Sequence, residues 1–384
     1  MRRFKRTLVA AALTTTVIAG TAGWATGNQQ QAVTGPPPGT AAWRADHLPH
    51  RDLPDPATAA PAAVARFFAS LTEAQRQELA ARHPLVVGNL DGAPPALRYR
   101  ANRWAIGAEQ ARERSRAADS SLAPYERQAA SALAERYREL LAPGRQILAF
   151  DPRGRGQLAE VYGDLAAARR TAVVVPGSDI DLASFDRRHD PYGTPAGMAR
   201  SLRAEMARQA PHIPNAVIAW AGYTTPVGLG LDAATGRLAR AGAPRLDRFL
   251  AGLATTGGPA PAVFCHSYGS VVCGLAAHNL NGTEAGDLVV LGSPGVHADS
   301  AAGLHTGARV WAVRRDHGDW IGDVPHVELL GLGHGADPTT KDFGARRVSS
   351  AGAHGHTGYF APGTESLRNF GRIALGEYGA VSTG

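Results

Sequence analysis

Ser267 stands in Pro261-Ala-Val-Phe-Cys-His-Ser-Tyr-Gly-Ser-Val-Val-Cys-Gly274, an apolar run that stops at a small polar turn and resumes with a helical pattern. The pattern predicts strand, sharp turn and helix, with the serine on the turn. Gly269 follows it by two places and the small Cys265 precedes it by two, so the segment is G-x-S-x-G with its first glycine replaced by cysteine. Small flanking residues let the backbone fold tightly enough to lift a hydroxyl clear of a sheet, where it can meet a base and a substrate carbonyl. Such a hydroxyl is protonated at neutral pH, so it needs a base within hydrogen-bonding reach, a carboxylate to orient that base, and donors for the developing oxyanion. Downstream lie His354 and His356 in a glycine-punctuated loop, and Asp316, Asp319 and Asp323 after the apolar run Arg309-Val-Trp-Ala-Val313. The five-residue pattern alone also fits an ordinary strand-to-helix connection, and the surrounding elements decide between the two.

The chain has 384 residues, room for one large α/β domain with an appendage or for two domains. A formal charge of +7 suggests nucleic acid until its location is considered: Arg2, Arg3, Lys5 and Arg6 precede any acidic residue and leave about +3 on the rest. No basic stripe interleaved with aromatics follows, which disfavours a nucleic-acid partner. Those charges introduce a mostly apolar stretch, residues 7–27, with Gly23-Trp24-Ala25 as a small-residue cleavage site. Residues 1–27 therefore read as a signal peptide or an uncleaved N-terminal anchor, placing the protein outside the cell or at its envelope. In an exported chain Cys265 and Cys273 can pair and staple the turn; two buried free thiols are the alternative.

The elements that must position these residues follow in order. Residues 28–60, rich in Pro and Ala, read as a tether or loosely packed lead-in without a core of its own. Residues 61–143 carry helical spacing, including a capping box at Thr72-Glu-Ala-Gln75, and form a helical N-terminal subdomain. From residue 144 to 384 the period changes. A hairpin at residues 147–150 and 158–162 is followed by strands at 172–175, 216–220, 263–265, 288–291, 309–313 and 326–329, alternating with helices at 195–210, 244–253, 268–280 and 364–374. Continuous apolar strands alternating with amphipathic helices imply an α/β fold, a mostly parallel sheet covered on both faces, with functional groups at the carboxyl ends of its strands. Trp220 and Tyr223 end one strand and are candidates to line a substrate pocket, although aromatics there also serve as packing.

Together Leu90-Asp-Gly-Ala-Pro94, Ala101-Asn-Arg103, Val175-Pro-Gly177, Ala219-Trp-Ala-Gly-Tyr223, the Ser267 turn, Leu291-Gly-Ser-Pro-Gly295 and Gly355-His-Thr-Gly-Tyr-Phe360 resemble the α/β-hydrolases. More narrowly, they resemble an actinobacterial branch in which a helical region precedes the hydrolase core. Cys265 departs from the glycine usual at that place. The resemblance implies the order Ser, Asp, His along the chain. It selects His356, which matches the branch's Gly-His-x-x-Tyr segment, over His354, and it selects Asp319 in Gly318-Asp-Trp-Ile321 over Asp316. For the oxyanion it implies the backbone N–H of Tyr268 and that of Gly177 or Ser178.

The expected activity is that of an exported serine hydrolase cleaving a small-molecule or lipid ester, with no cofactor. Three alternatives use the same residues differently: acyl transfer or amide cleavage by the same triad, an envelope binding module on a hydrolase scaffold, and a metal site built from Asp316, His317, Asp319, His334, His354 and His356. For the metal site no helical HExxH or thiolate pairing is present.

Overall fold

The computed structural model describes residues 29–48, 51–313, 318–324, 326, 328 and 331–384, so the N-terminal signal or anchor reading and Asp316 and His317 lie outside the described residues. Eleven helices precede, connect and follow eight strands among these residues. The N-terminal helices are α1 (Thr40–Ala45), α2 (Pro61–Ala69), α3 (Glu73–Arg82), α4 (Pro84–Asn89), α5 (Pro95–Ala118) and α6 (Pro124–Leu140). The strands are β1 (Gln146–Asp151), β2 (Gln157–Gly163), β3 (Arg170–Val175), β4 (Asn215–Ala221), β5 (Ala262–His266), β6 (Asp287–Leu291), β7 (Arg309–Val313) and β8 (Arg346–Val348). Among and after them come α7 (Pro195–Gln209), the single turn α8 (Leu231–Ala234), α9 (Arg237–Ala254), α10 (Tyr268–Ala276) and α11 (Glu365–Leu375).

The sheet order is β1-β2-β4-β3-β5-β6-β7-β8. β2 runs antiparallel to β1 and β4, and all other pairs are parallel. Every residue of β4, β5 and β6 is buried, because helices cover both faces. Val174, Phe264 and Val289 pack toward α5, α6, α7 and α11, while their neighbours Val173, Val263 and Val290 pack toward α9 and α10. Register aligns Val175 with Cys265 and His266 with Leu291, so the loops leaving β3, β5 and β6 emerge side by side. Chain segments far apart in sequence are thereby delivered to one place.

Three expectations are corrected. The lead-in has no core of its own, yet it is not loosely packed. Trp43 is fully buried among Val64, Phe68 and Leu79, with its indole N–H donating to Pro54 O at 2.9 Å. Farther back, the Gln30 N–H donates to Asp232 at 2.6 Å and the Val33 N–H to Thr224 at 3.0 Å, which straps the segment across the α/β core. Next, α9 begins at Arg237, with Pro244 inside it and not at its start. Finally, no strand forms at His326 or Glu328. His326 faces Ser293 O at 3.3 Å and Glu328 accepts from His297 Nδ1 at 2.8 Å, so both side chains pack on the loop after β6. Among the described residues the last strand is β8, an edge strand of which Val348 alone is buried.

Cys265 and Cys273 are bonded, with Cα atoms 6.4 Å apart, and join the end of β5 to the second turn of α10. Loop-closure entropy for so short a loop is worth about 2–3 kcal/mol. The double substitution Cys265→Ala/Cys273→Ala is therefore expected to lower Tm by about 3–8 °C in a thermal melt; an unchanged Tm would show that the bridge does not brace the turn.

Candidate active site

β5 ends at His266 and α10 starts at Tyr268, leaving one residue to reverse the chain. Ser267 does so with φ 54° and ψ −130°, a left-handed conformation that is costly for a residue with a side chain. Its neighbours explain how the strain is held. A Cβ at Gly269 would come within 2.6 Å of the Val175 and Pro176 carbonyl oxygens, so only glycine lets α10 start this close to β3. The Ser267 N–H donates to Leu291 O at 3.0 Å, and the disulfide clamps the strand to the helix.

His356 lies in the loop between β8 and α11, and its Nε2 is 2.8 Å from Ser267 Oγ. Its Nδ1 is 2.8 Å from Asp319 Oδ1. Because a carboxylate only accepts, Nδ1 carries the proton and Nε2 is left to accept from the serine hydroxyl. Asp319 caps the short turn Trp320–Asp323 after β7, its Oδ1 also accepting from the Ile321 N–H at 3.0 Å and its Oδ2 from the Tyr359 hydroxyl at 2.6 Å. Burial would raise the Asp319 carboxyl, but the hydrogen bonds from His356, Tyr359 and the Ile321 N–H outweigh it and hold the group below the ordinary carboxylate range. The three expected residues are thus brought together in one relay. His354 is exposed in the same loop and Asp323 is exposed on the turn after Asp319.

Gly177 presses its backbone against the nucleophile. A Cβ there would fall 2.5 Å from Ser267 Cβ and 2.9 Å from its Oγ, so only glycine lets this loop lie against the serine. Tyr268 follows Ser267 as the first residue of α10, where helix N–H groups have no intrahelical partner. Its hydroxyl donates to Thr235 O at 2.7 Å. Trp220 and Tyr223 do not line an open pocket at this site. Both are 2% exposed and stacked on one another, and the Tyr223 hydroxyl donates to Pro176 O at 2.7 Å, propping the Gly177 loop from below. Trp220 borders a different cavity, shared with Phe249 and Arg245, whose lining includes none of Ser267, Asp319 and His356.

Sequence reasoning left four contributors without a role. His266 Nε2–H donates to the His356 carbonyl at 2.7 Å, and the two rings lie 4.7 Å apart. Burial, helped by the neighbouring His356, pushes His266 down to about 3, so it stays neutral and remains a donor. Tyr359 is the second donor to Asp319, and its place three residues after His356 in the Gly355–Phe360 motif was the available signal. Gly292, at φ 52°, lets the loop after β6 lie against the imidazole, since a Cβ would sit 3.1 Å from His356 Cε1. Trp320, 41% exposed, lays its ring 4.8 Å from that of His356. Of the residues weighed as metal ligands, His334 turns away, with Nε2 on Ala233 O at 2.8 Å. Among the described residues no group of three His, Cys, Asp or Glu side chains is arranged to hold an ion.

Residues 151–329 match the family model Abhydrolase_8, described as alpha/beta hydrolase. The uncharacterized protein Rv2079 of Mycobacterium tuberculosis is 31% identical over 385 residues, covering 86% of this chain and 58% of its own length. The uncharacterized protein Mb0988c of Mycobacterium bovis is 35% identical over 174 residues, covering 42% of this chain and 62% of its own. The chain thus spans about three-fifths of the curated relatives it matches. A solved structure from Xanthomonas campestris, titled an a/b serine hydrolase without lid, is 16% identical with a TM-score of 0.32 over 62% of this chain and 96% of that one. The family match falls on the elements that carry Gly177, Ser267 and Asp319, and the eight-stranded, mostly parallel sheet flanked by helices is an α/β-hydrolase fold.

Proposed function

We propose that the protein is a serine hydrolase that cleaves an ester through an acyl-enzyme and works outside the cytoplasm. The observation that carries this reading is the relay from Ser267 Oγ through His356 to Asp319, with 2.8 Å at each step. Ser267 Oγ attacks the ester carbonyl while His356 Nε2 takes its proton, and Asp319 balances the imidazolium that results. The tetrahedral oxyanion is met by the Tyr268 N–H and by that of Gly177 or Ser178. Collapse expels the alcohol, which receives the proton from His356. Water, deprotonated by the same imidazole, then releases the acid and restores the serine. The same relay serves acyl transfer or amide cleavage if the acceptor or leaving group differs, and an ester is favoured because an alcohol leaves more readily than an amine. Export is supported by the basic and apolar N-terminal residues and by the disulfide, which belongs to oxidising surroundings.

Ser267→Ala and His356→Ala are each expected to lower kcat on p-nitrophenyl butyrate by at least about 10³-fold, and the double variant to be little worse, because the two act as a unit. Either single variant turning over at near wild-type rate would reject the mechanism.

His266 and His334 give a pH signature. Burial lowers them to about 3 and about 4, against an ordinary value of 6.5, so the unfolded chain binds protons that the fold refuses. The sign follows: their stability contribution is complete above pH 6.5 and is lost as pH falls toward 4, at up to about 1.4 kcal/mol per pH unit for each ring. Denaturant melts between pH 7 and 4.5 should show stability declining with acid, and His266→Gln should flatten that slope by about half. An equal slope in the variant would mean that His266 titrates normally.

A further inference from the structure

Among the described residues seven large apolar side chains are exposed, and two of them, Trp104 and Tyr125, lie on the N-terminal helices. The other five are Val227 (48%), Leu229 (74%), Leu231 (41%), Trp320 (41%) and Leu332 (37%), and they sit on three loops that each touch the relay or its supports. The loop of Val227 and Leu229 is clamped to the oxyanion side: the Asp179 N–H donates to Pro226 O and the Gly228 N–H to Asp179 Oδ1, both at 2.8 Å, and Asp179 lies two residues past Gly177. Leu231 opens the turn that ends at Thr235, whose carbonyl takes the Tyr268 hydroxyl and whose backbone bridges to Leu332. Trp320 covers His356. The nucleophile therefore opens inside a ring of outward apolar side chains, which is costly in water unless something apolar meets it.

Two further observations say what that is. The described chain starts on the same face: the Gln30 N–H is held by Asp232 at 2.6 Å, and Arg237 donates to Gln30 O at 2.6 Å, one residue from Leu231. The residues before it carry Arg2, Arg3, Lys5 and Arg6 followed by the apolar stretch to residue 27, so a membrane-directed sequence joins the fold beside the ring. Arg237 and Arg240, about half exposed, flank the apolar tips and are paired with Asp232 and Glu328. Apolar tips and an aromatic, beside the point where that apolar segment enters the fold, together suit a lipid surface.

We infer that the mouth of the site is a membrane-docking surface and that the substrate is an ester drawn from a lipid layer. The substrate half of this inference rests on the ester-hydrolase reading; the docking half does not.

The test uses the full chain with a nitroxide label at Leu229→Cys and, as a control, at the equally exposed Tyr125→Cys, the native cysteines being bonded. With vesicles of phosphatidylglycerol and phosphatidylcholine, the label at 229 should lose at least about fivefold of its collisions with an aqueous nickel chelate and gain collisions with oxygen, while the label at 125 keeps its aqueous exposure. In parallel, Leu229→Asp should lower the ratio of turnover on a vesicle-embedded ester to turnover on p-nitrophenyl acetate by about tenfold. Equal aqueous exposure at 229 and 125, or shielding at 229 before vesicles are added because residues 1–28 cover the ring, would overturn the inference. If Ser267→Ala retains turnover, the reaction is misassigned, and the label depth still decides the surface.

Discussion

The structure depends on one backbone constraint, the left-handed residue between β5 and α10. Ser267 at φ 54° is a conformation that side chains avoid, and it persists because everything next to it leaves no alternative. The strand is locked by parallel neighbours on both sides, the helix is drawn against β3 by Gly269, and the disulfide from Cys265 to Cys273 ties the two together. A cysteine in place of the first glycine of the motif is then no defect: it remains small at the tight place and adds a covalent brace.

Around that turn the supports converge on the base. His356 comes from a loop some ninety residues later, and a loop will not hold an imidazole to hydrogen-bonding tolerance unaided. Its carbonyl is held by His266 from the strand end, its Nδ1 by Asp319, and Asp319 in turn by Tyr359 and the Ile321 N–H. Tyr359 closes a loop through the sequence, since it lies three residues from the histidine whose carboxylate it secures. Burial keeps His266 neutral, so the anchor does not switch off when the His356 imidazole changes charge.

Much of this was legible in the chain. Strands such as β3 and β6 are buried on both faces and so are written as unbroken apolar runs, and the capping box at Thr72 marks a helix start in plain view. The Ser267 turn, the loop of His356 and the carboxylate after β7 could be placed because each follows a strand that composition reveals. What escaped has physical reasons. β8 is an edge strand with arginines at two of its three positions, so no periodicity betrays it, while the strand expected at 326–329 is absent at the described residues His326 and Glu328. The segment holding Trp43 is rich in Pro and Ala, and its order comes from contacts with helices and loops distant in sequence. His266 and Tyr223 act by hydrogen bonds to backbone carbonyls, which leave no trace in residue spacing.

The central claim is that the hydroxyl of Ser267 is activated by its setting. Intact mass and peptide mapping after treatment with a fluorophosphonate measure this most directly. The account predicts a single adduct on Ser267 in the native protein, absent after denaturation and absent in His356→Ala. No adduct on the folded wild type, or an adduct on another serine that persists in Ser267→Ala, would contradict it.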